Sequence, residues 1–213
     1  MSQLEKYLRG EDDRALLEKK MKAEGRLPPG QALTIKWPVL HTGGVPTFDA
    51  ATWDFRAGGL VENPLSLGYR AFMELPHAEV VADFHCVTRW STFDNRWEGI
   101  PVREVLERAR PRPEATHVMI LGHVGETRYG YTTNLPLADL DRADNLFAFR
   151  RNGEDLDPDH GWPLRLVVPH LYAWKSCKWV RGLIFMEADK AGYWEKLGYH
   201  MYGDPFREQR FGE

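Results

Sequence analysis

From residue 53 onward the chain alternates short apolar runs with polar, Gly- and Pro-punctuated breaks. The runs are Trp53–Val61, Val80–Phe84, His117–Leu121, Tyr129–Thr133, Leu146–Arg150, Leu164–Val168 and Trp179–Met186. Each is rich in β-branched and aromatic side chains, the residues that suit a pleated, half-buried surface, so each predicts a strand. Short helices are predicted at Tyr69–Leu75, Val102–Ala109 and Leu137–Leu140. Strands and long helices do not alternate regularly, which argues against a doubly wound sheet. The pattern predicts a β-rich, mixed α+β domain with short helices.

The N-terminus differs. Residues Leu4 to Lys22 are good helix formers with apolar positions at Leu4, Tyr7, Leu8, Leu16, Leu17 and Met21, interrupted by Gly10. One broken helix or two short ones are expected there. The stretch Gly25–Gly30, with Pro28-Pro29, reads as a linker. The division is therefore residues 1–27, a charged helical extension, and 28–213, one domain without internal repeats.

Composition narrows the function classes. With 28 Lys and Arg against 31 Asp and Glu, the formal net charge is −3, which argues against a nucleic-acid partner. A small anionic ligand needs only a local cluster and stays open. No apolar stretch reaches the length of a membrane span, and the charged first residues do not form a secretory signal. The Arg150-Arg151 pair lies far from the N-terminus, so twin-arginine export is not indicated and a cytoplasmic location is the expectation. Two cysteines, Cys86 and Cys177, are too few for a disulfide scaffold or a Cys-rich zinc site.

Three features carry candidate chemistry. Cys86 follows the strand-like Val80–Phe84 and is flanked by His85 and Arg89. Positive neighbours favour the thiolate, which is both nucleophile and metal ligand, but a small buried hydrophobe reads equally well. The stretch His160–Met186 contains Arg165, Lys175, Lys178 and Arg181 and no acidic residue. Arg165 lies inside the apolar Pro163–Pro169, where a charge needs a partner, either a buried carboxylate or a ligand phosphate. The loop Pro169–Ser176 adds an ammonium, a hydroxyl and the rings of Tyr172 and Trp174. Third, Val39–Pro46 contains His41 and paired glycines that permit close backbone approach to a ligand. There is no phosphate-binding P-loop, no Gly-x-Ser-x-Gly elbow and no His-Glu-x-x-His. A metal-free Cys–His hydrolase, or zinc held by Cys86 and two histidines, stays open on spacing alone.

Taken together and in order, these motifs resemble the molybdopterin-binding domain of the sulfite oxidase superfamily, most closely its short sulfite-oxidase-like oxidoreductases. The resemblance runs from about Pro28 to the C-terminus. It rests on Pro38–His41, Asp83–Ser91, Trp97–Ile100, Tyr131–Pro136, His160–Pro169, Tyr172–Trp179 and Trp194–Pro205.

The resemblance implies the sulfite-oxidase molybdopterin-binding fold and a molybdenum–molybdopterin cofactor, whose nucleotide form it leaves open. Cys86 would give the single protein sulfur to the metal, a soft ligand suited to it. His41, His160, Arg165, Lys175 and Ser176 match positions that contact the pterin and its phosphate. Tyr131, Thr132 and Trp174 border the same group, and Arg89 is placed to attract an oxyanion. His160 stands where the related protein-methionine-sulfoxide reductases carry Asn. Cys177 matches no ligand position and reads as structural. The implied reaction is two-electron oxygen-atom transfer on a small oxyanion such as sulfite, or the reverse direction on an S-oxide or N-oxide. A cofactor-binding protein without turnover is the alternative. Neither the superfamily's haem domain nor its dimerisation domain is contained in the chain. A separate electron-transfer partner is therefore expected, and the usual dimer is not implied.

Overall fold

A computed structural model describes residues 11–124 and 127–212. Two sheets build the domain. The first contains β1 (Ala32–Leu33), β4 (Ala78–Cys86), β5 (Trp90–Pro101), β8 (Leu146–Arg151), β9 (Glu154–Asp155) and β10 (Arg165–Val167). The second runs β3 (Leu65–Gly68), β2 (Asp54–Gly59), β11 (Val180–Met186), β6 (His117–Val124), β7 (Thr127–Pro136) in spatial order. In it, β2 and β11 are parallel and the remaining pairs antiparallel. The fold is a strand-rich mixed α/β arrangement, as the apolar runs predict.

The main core contains Phe55, Phe72, Ile120, Phe147 and Leu183, contributed by both sheets and by α2 (Tyr69–Met73). Helix α3 (Val102–Ala109) adds Val102, Val105, Leu106 and Ala109, the i, i+3, i+4, i+7 stripe of a helix with one buried face. Close strand approach makes side chains impossible at two glycines. A Cβ on Gly99 would sit 2.3 Å from the Phe147 carbonyl oxygen, and one on Gly182 2.3 Å from that of Arg56.

Strand β5 organises the first sheet, although no apolar run announces it. It pairs antiparallel with β4, from Cys86↔Trp90 to Ala78↔Gly99, and on its other edge with β1 and β8. Its register with β4 shifts between Ala82 and Phe84, and Asp94 takes a φ of 49° there. Arg26 bridges this irregularity, with Nη2 2.6 Å from Asp83 Oδ1 and 2.5 Å from Asp94 Oδ1. The linker is thereby tied to the hairpin that carries Cys86.

In the extension, α1 (Glu11–Ala23) is continuous over the described residues, and the expected break at Gly10 lies outside them. Met21 and Leu27 pack with Leu33 and Phe93 in a small cluster of their own. No helix among the described residues is long and apolar enough to cross a membrane.

Candidate functional site

Cys86 is the last residue of β4 and pairs with Trp90, the first of β5. The intervening turn closes through Arg89 N–H to the Cys86 carbonyl at 3.1 Å, with Arg89 at φ 72°. Its backbone is held from behind. Gln31 Nε2 donates to the Cys86 carbonyl at 2.9 Å, Arg210 Nη1 to that of Val87 at 2.6 Å, and Ala173 N–H to that of His85 at 2.7 Å. His85 points away from the cavity side to Ser91 Oγ, at 2.8 Å, and burial lowers its pKa to about 4.

The sulfur faces a cavity of about 280 Å³. One end of the wall is polar: His41, His160, Arg165, Ser176 and Lys178. The rest is largely aromatic, with Trp37, Phe84, Trp90, Tyr131, Trp174, Trp194 and Tyr199 among the lining residues. These come from the loop before β2, the β4–β5 hairpin, β7, the 3-10 turn Pro158–His160, β10, the loop after it, and α5 (Tyr193–Lys196) with the residue Tyr199 beyond it. A wall of this kind suits a flat, partly apolar molecule with one anionic end.

The polar end holds two buried cations that make no carboxylate ion pair among the described residues, while Asp157 and Asp159 lie against the neighbouring His160 and His41. Arg165 is only 3% exposed. Its Nη1 donates to the His160 carbonyl at 3.0 Å, and its Nε has no hydrogen-bond partner. Among the described residues no carboxylate pairs with it, and burial lowers its pKa to about 10. Lys178 donates to the carbonyls of Leu40 at 3.0 Å and Asp159 at 2.6 Å. Burial, with Arg165 nearby, lowers its pKa to about 7. His160 stacks on Trp37 at 3.8 Å between centroids, with Nδ1 2.6 Å from Asp157 and Nε2 3.1 Å from the Trp37 carbonyl. His41 Nε2 lies 3.3 Å from Asp159 Oδ1, and its Nδ1 is buried without a partner. Ser176 Oγ accepts from Val168 N–H at 2.9 Å, which leaves its proton to donate.

Cys86 itself stands apart from any cluster. Burial raises its pKa, against the opposing pull of Thr88, Arg165 and Lys178. Its Sγ lies 3.2 Å from Thr88 Oγ1. Among the described residues no imidazole hydrogen-bonds it, so the base of a Cys–His hydrolase is not assembled. Nor do three or more His, Cys, Asp or Glu side chains gather anywhere among them to hold a metal, which removes the support for zinc. The site offers one sulfur, and any metal there needs its other ligands from a bound molecule.

Of the residues singled out from sequence, His41, Cys86, Tyr131, His160, Arg165, Trp174 and Ser176 line the cavity together. Three do not. Arg89 is exposed, and its Nη1 lies beside Gly30, where an added Cβ would meet it at 2.9 Å. Thr132 is not among the residues that line the cavity. Lys175 turns inward to Glu195, 2.7 Å away, with both side chains fully buried. Lys178 takes the place at the wall that the sequence reading gave to Lys175. The alternation of directions along Lys175-Ser176-Cys177-Lys178 was the available signal. The buried Cys177 shows no ligand geometry, and an added Cβ on Gly122 would lie 2.7 Å from its sulfur.

Comparison with known proteins gives a consistent answer. The profile of the family described as "Oxidoreductase molybdopterin binding domain" matches residues 42–194. The uncharacterized oxidoreductase YuiH of Bacillus subtilis (strain 168) is 46% identical over 188 residues, 88% of this chain and 92% of that protein. The protein-methionine-sulfoxide reductase catalytic subunit MsrP of Gluconobacter oxydans (strain 621H) is 31% identical over 74% of this chain, which spans only 54% of it. Among solved structures, the sulfane dehydrogenase SoxCD of Paracoccus pantotrophus aligns with a TM-score of 0.60 at 23% identity, covering 68% of this chain and 41% of that one. That likeness speaks for the fold.

Proposed function

The chain belongs to the oxidoreductase molybdopterin binding domain family, and from that premise we propose that it is an enzyme of two-electron oxygen-atom transfer. Members of the family bind molybdopterin, and the cavity fits that group on its own evidence. A lone buried thiol suits a metal whose remaining ligands arrive with an organic molecule. Two buried cations without carboxylate ion pairs, and the unpartnered Arg165 Nε, suit its anionic end. The observation that carries the reading is this pairing of one sulfur with two buried cations that make no carboxylate ion pair, in a single cavity.

The residues then divide as follows. Cys86 holds the metal as thiolate. Arg165 and Lys178 give charge-assisted hydrogen bonds to the phosphate end, and Ser176 and His41 complete the polar wall. His160 and Trp37, already stacked, border the ring system. When bound, the cofactor supplies the two-electron redox chemistry, while the protein supplies position and electrostatics. Electrons come from or go to a separate redox partner.

For substrate, we favour an uncharged S-oxide or N-oxide over a small oxyanion such as sulfite. The residue that the sequence assigns to attracting an oxyanion, Arg89, has its guanidinium at Gly30, off the wall. The likeness to a protein-methionine-sulfoxide reductase catalytic subunit supports the same direction.

The test is direct. Protein from a host that makes the cofactor should carry stoichiometric molybdenum and release pterin on denaturation. Cys86→Ser should lose the sulfur-to-metal absorption band. Methionine sulfoxide or an amine N-oxide should turn over with a reduced dye faster than sulfite does with an oxidising one. Metal-free protein from such a host would overturn the assignment, and faster sulfite turnover would reverse the substrate preference.

A further inference from the structure

Resting on that reading of Cys86, we infer that Thr88 is a positioning residue whose hydroxyl hydrogen-bonds the ligand sulfur and sets how strongly it donates to the metal. Thr88 Oγ1 lies 3.2 Å from Cys86 Sγ, within reach for a sulfur acceptor. A metal-bound thiolate has no proton, so in the loaded protein the hydroxyl is the donor. The backbone N–H of Thr88 acts on the sulfur in the same sense. Arg165 and Lys178 act on it only through space. Among the described residues Thr88 is therefore the one side chain that touches the ligand atom through a hydrogen bond.

The turn is built to keep that contact. It is closed by Arg89 N–H to the Cys86 carbonyl, and it is clamped by Gln31 and Arg210 at the carbonyls of Cys86 and Val87. The β-branched side chain of Thr88 further restricts where its hydroxyl can swing. Thr88 is also exposed and belongs to no core cluster, so packing does not account for its hydroxyl's position. A hydrogen bond to a ligating sulfur withdraws electron density from it. Outer-shell bonds of this kind are a recognised means of tuning metal sites. Weaker donation stabilises the reduced metal, so the bond raises the reduction potential.

The holoprotein carrying Thr88→Val, which keeps the shape and removes the hydroxyl, should show two changes. Its sulfur-to-metal band should move to longer wavelength, and its molybdenum reduction potential should become more negative. Thr88→Ser should restore both toward wild type, and Thr88→Ala should follow Thr88→Val. A wild-type band and potential in Thr88→Val, or in Thr88→Ala where the valine variant loads poorly, overturns the inference. So does a serine variant that shifts as far as the valine one. Cys86→Ser, measured beside them, separates the two levels. Band loss in that variant with no effect at Thr88 sinks only the role of Thr88. A band that survives Cys86→Ser, or wild-type protein without molybdenum, sinks the reading beneath it as well.

Discussion

Lys175 and Lys178 lie three residues apart in one loop, both ammonium groups are buried, and their surroundings are opposite in kind. Lys175 meets Glu195 at 2.7 Å and also donates to Asn134 Oδ1 at 2.8 Å and to the carbonyls of Asn134 and Met201. Glu195 in turn accepts from Thr133 Oγ1 and from Trp174 Nε1. This buried network converges on Glu195 Oε1 and ties α5 to the loop that carries Trp174. Lys178 hydrogen-bonds only carbonyl oxygens and makes no ion pair among the described residues; Arg165 opposes its charge through space, and Asp157 and Asp159 support it only from a distance. A protein interior tolerates an ammonium when a partner meets it. The first lysine has its partner inside the chain. The second lacks an ion-pair partner, and its place at the cavity wall supports the proposal that a ligand's negative charge belongs beside it. Two residues of the same type thus separate a structural task from a binding task by their acceptors alone.

Breaking the buried network should have the largest effect. Lys175→Met leaves the Glu195 carboxylate buried without its cation. Removing one partner of a buried pair typically costs about 3–5 kcal/mol. For a chain of this size that is a fall in melting temperature of roughly 6–20 °C, taking about 2–4 °C per kcal/mol. The drop should occur with and without cofactor, as calorimetry of both forms would show. Unchanged stability with impaired cofactor retention would erase the contrast and return Lys175 to the binding wall.

Lys178→Met should do the reverse. An apolar side chain in place of an ammonium without an ion-pair partner should leave the cofactor-free protein as stable as before, or more so. Cofactor retention should weaken about 10–100-fold, the scale of one charge-assisted hydrogen bond worth about 1.5–3 kcal/mol. Equilibrium release of pterin, followed by its fluorescence, measures this. A variant that keeps its cofactor but melts early would show that Lys178 is structural.

That contrast was not legible in the sequence, although much around it was. Helices Val102–Ala109 and Leu137–Leu140 fall where the apolar spacing puts them, because one-sided burial leaves a regular mark. Strand β5, the longest in the molecule, left none. Buried Ser91, Thr92 and Asn95, an irregularity at Asp94 and a glycine at its far end destroy the two-residue alternation. The cavity wall was largely legible because its residues sit in collinear motifs. The directions of Lys175 and Lys178 were not. They depend on Glu195, twenty residues further on, because alternation along the loop separates Lys175 from Lys178 without saying which of them faces the cavity. Arg89 is a similar case. Its backbone takes a left-handed conformation that nothing in its residue type announces, and its side chain lies beside Gly30.

The smallest expected effect is also the most direct reading of the charge without an ion-pair partner. Lys178 has a folded pKa near 7, well below that of a solvated lysine at 10.5. Between those values the unfolded chain binds a proton that the folded, cofactor-free protein does not. Stability therefore rises with pH across that window, and below pH 7 the full cost of the buried charge remains. The slope has an upper bound of about 1.4 kcal/mol per pH unit for one group. The clean interval is roughly pH 7 to 8.5. Below it histidines whose pKa burial lowers take up protons in the unfolded chain before the folded one, and above it the raised pKa values of Cys86 and Cys177 act with the opposite sign. Denaturant titrations of cofactor-free protein across that interval should show the rise, and Lys178→Met should flatten it. In the loaded protein an anionic partner holds Lys178 charged, so the same interval should show no such rise from this residue. A slope that survives Lys178→Met, or is equal in both forms, would mean that the charge at the wall is already compensated from within.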